Sequence, residues 1–130
     1  MSEFANSLSV TASGLKAQAT RLRHVSENIS NADTPGYRRK SVPFEAVRDL
    51  KNDVERVKTG RVSLDRSDLE SVYDPSHPLS DASGHYEGSN VDLMIEIADA
   101  REAQRSYDAN LKMFEQTRSM SSSLMNLLKR

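Results

Sequence analysis

The chain has 130 residues, with 36% hydrophobic and 5% aromatic side chains and no tryptophan, which is one domain's worth of protein with little to build a compact core. Eighteen basic against nineteen acidic side chains leave a formal charge of −1, a balance that argues against a general polyanion binder. Zero cysteines exclude disulfides, zinc thiolates, iron–sulfur clusters and thiol catalysis.

From the amino end, Leu8, Leu15, Leu22 and Ile29 recur every seven residues, with Ala5, Ala12, Ala19 and Ser26 at the companion position. Leucine at one position and small residues at the other predict four heptads of a closely packed helical seam. The rest of this helix is poor helix material: Ser2, Asn6, Ser7, Ser9, Thr11, Ser13 and Gly14 all favour other conformations. Such a helix depends on a partner. Phe4, Leu8 and Val10 are interrupted by Ala, Asn and Ser, so no cleavable signal pattern is expected, and no stretch approaches the ~20 apolar residues of a membrane span.

The helix should stop at Asn31-Ala32-Asp33-Thr34-Pro35-Gly36-Tyr37. Asn31 can take the left-handed conformation that ends helices, Pro35 forces Thr34 out of the helical region, and Pro-Gly signals a type II turn.

Residues 37–89 hold ten acids and nine bases and read as a solvated run of short extended segments. Val42 and Phe44 share a face across Pro43, which permits only an edge strand. Val54–Lys58 and Arg61–Leu64, separated by Thr59-Gly60, are the candidate hairpin. Asp74-Pro75-Ser76-His77-Pro78 is too proline-rich for regular structure, and Asp81-Ala82-Ser83-Gly84 reads as a turn.

The longest regular stretch runs from Val91 to Lys129. Leu93, Ile97, Ala100, Gln104, Tyr107, Leu111, Phe114, Arg118, Ser121, Met125 and Leu128 alternate at spacings of four and three, the mark of one helix face. Glu96, Asp99, Arg101, Glu102, Arg105, Asp108, Lys112 and Glu115 fall on the opposite, solvated face. Ser89, three residues before Asp92, resembles a capping box. At about 1.5 Å per residue this helix reaches nearly 60 Å, longer than a small domain is wide. With no third long helix in the chain, intermolecular packing is the expected partner for both seams, and Leu111 is expected to be largely exposed in the monomer.

No catalytic constellation is present. His24, His77 and His85 lack metal-ligand spacing and read as surface or capping residues. No phosphate loop occurs, and no serine sits in a nucleophile setting. Tyr37-Arg38-Arg39-Lys40 is the one basic cluster beside an aromatic. Amid so many acids it reads as a solvated strand start or a contact to an acidic neighbour, not a nucleic-acid patch. Asn28-Ile29-Ser30 spells a glycosylation sequon at a helix end, where chance is the default.

The run Glu27-Asn28-Ile29-Ser30-Asn31-Ala32-Asp33-Thr34-Pro35-Gly36-Tyr37-Arg38 resembles the amino-terminal signature of bacterial flagellar axial proteins, the family of rod, hook and filament-junction components. Val72-Tyr73-Asp74-Pro75-Ser76-His77-Pro78-Leu79-Ser80-Asp81, then Asn90-Val91-Asp92, Glu96 and Ala103–Asn110, are similar to the later boxes of that family's proximal-rod branch. The sequence departs from that pattern at Ser76, where glycine is usual, and at His85, which lies inside the Gly-Tyr pair of Gly84 and Tyr86.

Periodicity and resemblance together predict a mainly α fold: long amino- and carboxy-terminal helices packed as a coiled-coil-like pair, with a small irregular or β middle domain. The divisions are 1–36, 37–89 and 90–130. The resemblance implies a structural rod subunit, not an enzyme, without cofactor, metal, nucleic acid or small-molecule substrate, and not membrane-inserted. It implies self-association within the rod, with other rod proteins, a rod-to-ring adaptor and the MS-ring protein as further partners. Export would use the flagellar type III apparatus. The expected assembly interface is Leu8, Leu15, Leu22, Ile29, Ile97, Tyr107, Leu111, Phe114, Met125 and Leu128, with Asn31, Thr34, Pro35, Gly36 and Tyr37 as the signature turn. Two alternatives stay open: another rod- or hook-type axial component, and a soluble two-helix hairpin forming a closed dimer.

Overall fold

The structure, a computed structural model, describes residues 3–129. Ser2, and the outermost residues Met1 and Arg130 of the two terminal segments, lie outside the described residues. Helix α1 spans Glu3–Ser30 and helix α2 Leu93–Leu128. The poor helix formers of α1 are accommodated by back-bonding to the preceding turn: Thr11 Oγ1 donates to Ser7 O at 2.9 Å, Ser13 Oγ to Val10 O at 2.7 Å and Thr20 Oγ1 to Lys16 O at 3.0 Å.

The two helices pack antiparallel within one chain. Asn28 lies at Glu96, Arg21 at Glu102, Gly14 at Asn110, and Phe4 shares a groove with Met120 and Leu124. This corrects the expectation that the seams lack an intramolecular partner: Leu111 is already half-buried by its own chain. The inner face of α1 is also rotated from the leucine row. Buried Ala17, His24, Val25 and Asn28, with Gly14, form it, while Ala12, Ala19 and Ser26 are exposed. Leu8, Leu15 and Leu22 are half-buried, roughly 100° around the helix from Gly14. Small side chains at Gly14, Ala17 and Ala103 let the helices approach closely, and the leucines flank that contact.

On α2 the buried line is Glu96 and Ala103, continued by half-buried Tyr107, Asn110, Phe114, Thr117 and Ser121. The middle of the expected stripe, Tyr107, Leu111 and Phe114, is thus in place with Ser121, whereas Leu93, Ile97, Gln104, Arg118, Met125 and Leu128 are exposed and Glu96, assigned to the opposite face, is wholly buried. The helix start also differs from the capping-box reading. Asp92 is the N-cap, accepting from Met94 N at 3.0 Å, and Ser89 is buried with its hydroxyl donated to Ala32 O.

Between the helices run six short strands: β1 Lys40–Ser41, β2 Phe44–Asp49, β3 Val54–Thr59, β4 Ser63–Leu64, β5 Ser71–Tyr73 and β6 His85–Glu87. They pair antiparallel as β1–β4, β2–β3 and β5–β6. The candidate hairpin around Thr59-Gly60 is therefore wrong. Val54–Thr59 pairs backward with Phe44–Asp49, and the hairpin turns at Leu50–Asp53, where Asp53 holds φ 52°. Pro43, with no N–H to give, divides β1 from β2 where one edge strand was expected. The hairpin lies along α1, with Val57 N donating to Ser13 Oγ at 3.1 Å. The two departures from the family pattern are accommodated. Ser76 caps Asp74 Oδ1 locally through both its N and its hydroxyl, and His85 packs its ring on Tyr73 at 5.0 Å.

Candidate assembly surface and the polar lock behind it

The buried apolar core among the described residues is Ala17, Val25 and Ala103, while the largest fully buried side chains are Glu96 and Asn28. At this end of the helix pair, then, polar contacts do the joining. Asn28 uses its whole hydrogen-bonding capacity. Its Nδ2 donates to Lys40 O at 2.9 Å and to Glu96 Oε2 at 3.3 Å, and its Oδ1 accepts from Tyr37 Oη at 2.8 Å and Lys40 N at 2.9 Å. The sequon asparagine is thus fully buried.

Glu96 accepts a second hydrogen bond, from Arg39 Nε, and Arg39 Nη2 donates to Asp99 Oδ2 at 2.9 Å. Arg39 N donates to Asn90 Oδ1 at 2.7 Å, and Asn90 Nδ2 reaches Asp65 O at 2.9 Å. Four stretches therefore meet at one joint: the end of α1, the turn with β1, the 65–67 loop and the start of α2. Burial works against the charge on Arg39, but the Glu96 hydrogen bond and the charges of Glu96 and Asp99 outweigh it and raise its pKa. Burial raises the Tyr37 phenol. Beside them Lys40 Nζ donates to Glu27 Oε2 at 3.0 Å, a hydrogen bond that lowers the Glu27 carboxyl and raises the Lys40 ammonium.

The basic cluster is consequently spoken for within the chain. Arg38 donates to Asp65 O and Ser67 O, Arg39 is held by Glu96 and Asp99, and Lys40 by Glu27. This overturns the solvated strand start. His24 is likewise no surface residue: it is 7% exposed, with Nδ1 3.5 Å from Glu27 Oε2.

The signature turn forms in part as expected. Tyr37 N donates to Thr34 O at 3.1 Å across Pro35-Gly36, with Gly36 at φ 73°, the type II geometry. Gly36 N also donates to Gly88 O at 3.0 Å, tying the turn to the strand before α2. Asn31 does not go left-handed, since Asp53 alone of the described non-glycine residues has positive φ. Instead Asn31 Nδ2 caps Glu27 O at 2.8 Å and its Oδ1 accepts from Thr34 Oγ1 at 3.1 Å.

Of the expected interface residues, Leu8, Leu15, Leu22, Tyr107, Leu111 and Phe114 are half-buried within the chain. Ile29, Ile97, Met125 and Leu128 are 37%, 41%, 54% and 73% exposed. The structure adds Met94, Met120, Leu124 and Leu127, all exposed. Phe4, Met120, Leu124 and Leu127 line an apolar groove at the far end of the pair. Helix α2 has 36 residues to the 28 of α1, an excess of about 12 Å that carries its last turns past Glu3. Glu96, Ala103, Asn110 and Thr117 recur every seven residues along the inner line, but nothing in a row of polar and small residues marks it as buried.

A thin antiparallel pair of terminal helices, locked at one end and bare and apolar along its flank, is the architecture of a subunit built to be packed among others. Residues 8–38 match the family described as flagella basal body rod protein, and residues 82–127 match the carboxy-terminal family of the flagellar basal body rod FlgEFG proteins. The flagellar basal-body rod protein FlgC of Agrobacterium fabrum is 50% identical over 127 residues, covering 92% of this chain and 91% of that protein. The FlgC proteins of Bacillus subtilis and Salmonella typhimurium are each 32% identical, covering 88% of this chain and 91% and 90% of their own lengths. The chain belongs to the FlgC family of flagellar basal-body rod proteins.

Proposed function

We propose that this structural rod subunit assembles through both terminal helices into a helical tube that transmits torque, with no catalytic step. The observation that carries the reading is the bare apolar surface of α2, where Ile97, Met113, Met120, Leu124, Met125, Leu127 and Leu128 are between 41% and 73% exposed. So many large apolar side chains along one element exceed what an isolated soluble chain presents without a use for them. Leu8, Leu15, Leu22 and Ile29 form the matching flank of α1, and Tyr107, Leu111 and Phe114 continue the α2 surface inward. The segment 37–89, between assembly segments 1–36 and 90–130, lies outside the tube wall. A contact that does not close on itself generates an open helical array. The neighbours in this reading are other rod proteins, the rod-to-ring adaptor and the MS-ring protein, reached after type III export.

The test uses residues exposed in the free chain. Leu111→Asp would not separate assembly from folding, because Leu111 is half-buried within the free chain. Met125→Asp with Leu128→Asp is the cleaner pair. The variant is expected to keep the thermal midpoint of the purified chain within about 2 °C, since surface changes away from packed features shift stability little. It is expected to abolish recovery of basal-body rods while leaving export levels intact. Normal rods from this variant would sink the reading, as would a purified wild-type chain that sediments as a closed dimer.

A further inference from the structure

The contact surface between α1 and α2 has an unusual composition. Gly14, Ala17 and Ala103 are its small residues, and Asn110 is the side chain that meets Gly14, where an added Cβ would lie 3.0 Å from its Nδ2. Helix pairs hold their register when bulky knobs enter specific holes. Here the buried apolar residues are the small Ala17, Val25 and Ala103, and the bulky Tyr107 and Phe114 of the α2 line are only half-buried, so apolar packing holds the alignment weakly. The apolar residues Leu8, Leu15, Leu22 and Leu111 are also only half-buried and flank that line. Arg21 bonds Asp99 and Glu102 in partly exposed pairs, and the fully buried side chains that distinguish one register from the next are Asn28 and Glu96, both 0% exposed and bonded to each other. A slip of one turn would leave the Glu96 carboxylate buried without Asn28 and Arg39, and would strip Asn28 of a partner.

We propose that the Asn28–Glu96–Arg39 cluster is a register pin, which selects one axial alignment of α1 against α2 where the apolar contacts permit several. A buried polar group that fixes helix register is the best-attested use of such groups. The pin sits at the end of the pair where the turn and the 65–67 loop cross, so it also ties the register to the placement of β1. The register sets how far the last turns of α2 project beyond α1, and a one-turn slip moves that projection by about 5 Å. That consequence rests on the assembly reading above. The pin itself does not, and its test needs no rod.

Because the chain has no cysteine, disulfides can report the register directly. Gly14→Cys is combined with Asn110→Cys for the observed alignment, since a Cβ at Gly14 lies 3.4 Å from Asn110 Cγ, and with Ser106→Cys or Phe114→Cys for one-turn slips either way. In the otherwise unaltered purified chain the 14–110 disulfide should form at least about tenfold faster than either slipped pair. With Asn28→Leu and Glu96→Leu added, at least one slipped pair should come within about threefold of it while helical circular dichroism is retained. A tenfold preference that survives both leucines in a helical chain overturns the proposal and gives the register to the linker. Should the double leucine variant lose its helices, Glu96→Gln decides, since it keeps the shape but removes the charge. A threefold or larger fall in preference sustains the pin, and an unchanged preference overturns it.

Discussion

The two ends of the helix pair are made on opposite principles. Where α1 ends and α2 begins, the joint is closed and polar: Asn28 and Glu96 are fully buried, and Arg39, Tyr37, Lys40 and Asn90 complete their bonds. Where α1 begins and α2 ends, the surface is open and apolar, with Leu127 at 63% and Leu128 at 73% exposure. Polar groups withdrawn from water demand specific partners in specific geometry. Apolar groups left in water demand only cover. One end therefore fixes the shape of the subunit, and the other awaits whatever is placed against it.

The sharpest way to break this contrast is at the joint. Arg39→Ala leaves the fully buried Glu96 carboxylate without its cation, a loss of about 3 kcal/mol in urea-denaturation stability. A change under 0.5 kcal/mol would mean that the joint is solvated and the contrast between the ends is false.

Next in size is the turn. Gly36 sits at φ 73°, and a Cβ there would meet nothing within 4 Å, so Gly36→Ala tests the backbone dihedral alone. The expected loss is about 1 kcal/mol. Adding Pro35→Ala should further let α1 run on past Ser30, read as slowed amide exchange at residues 31–36.

The smallest effect belongs to the exposed Glu27–Lys40 pair, which solvent screens. The Glu27 pKa is lowered from 4.5, so its contribution is present above that value and is lost as pH falls through the depressed pKa. The Lys40 pKa is raised from 10.5, so its contribution is present below that value and is lost as pH rises through the raised pKa. The Lys40→Met variant should therefore differ from the parent chain most between those limits, and the two thermal midpoints should converge below pH 4.5. A difference that persists undiminished at low pH would assign the effect to packing of the lysine stem.

Much of this protein could be read without its structure, and the failures share a cause. The two long helices, the Pro-Gly turn and the irregular 74–84 stretch are all stated by residues close in sequence. The strand pairing was misread because Thr59-Gly60 is a good turn signal locally, while Val54–Thr59 finds its partner on the other side, at Phe44–Asp49. The rotation of α2 was misread because a stripe of large apolar residues is the usual mark of a buried face. Here Leu93 and Ile97 face outward, Tyr107 and Phe114 are only half-buried, and the residues wholly inside are an acid and an alanine.

What the sequence determined by itself, then, is everything set by backbone preference over a few residues: where helices run, and where proline and glycine stop them. What only the tertiary structure decided is which face of each helix is inside. Hydrophobic periodicity reports a face that avoids water somewhere, in the subunit or in an assembly, and carries no mark of which. Glu96 could be buried only because Asn28 and Arg39, 68 and 57 residues away along the chain, arrive with the donors its carboxylate needs. That coincidence exists in space alone.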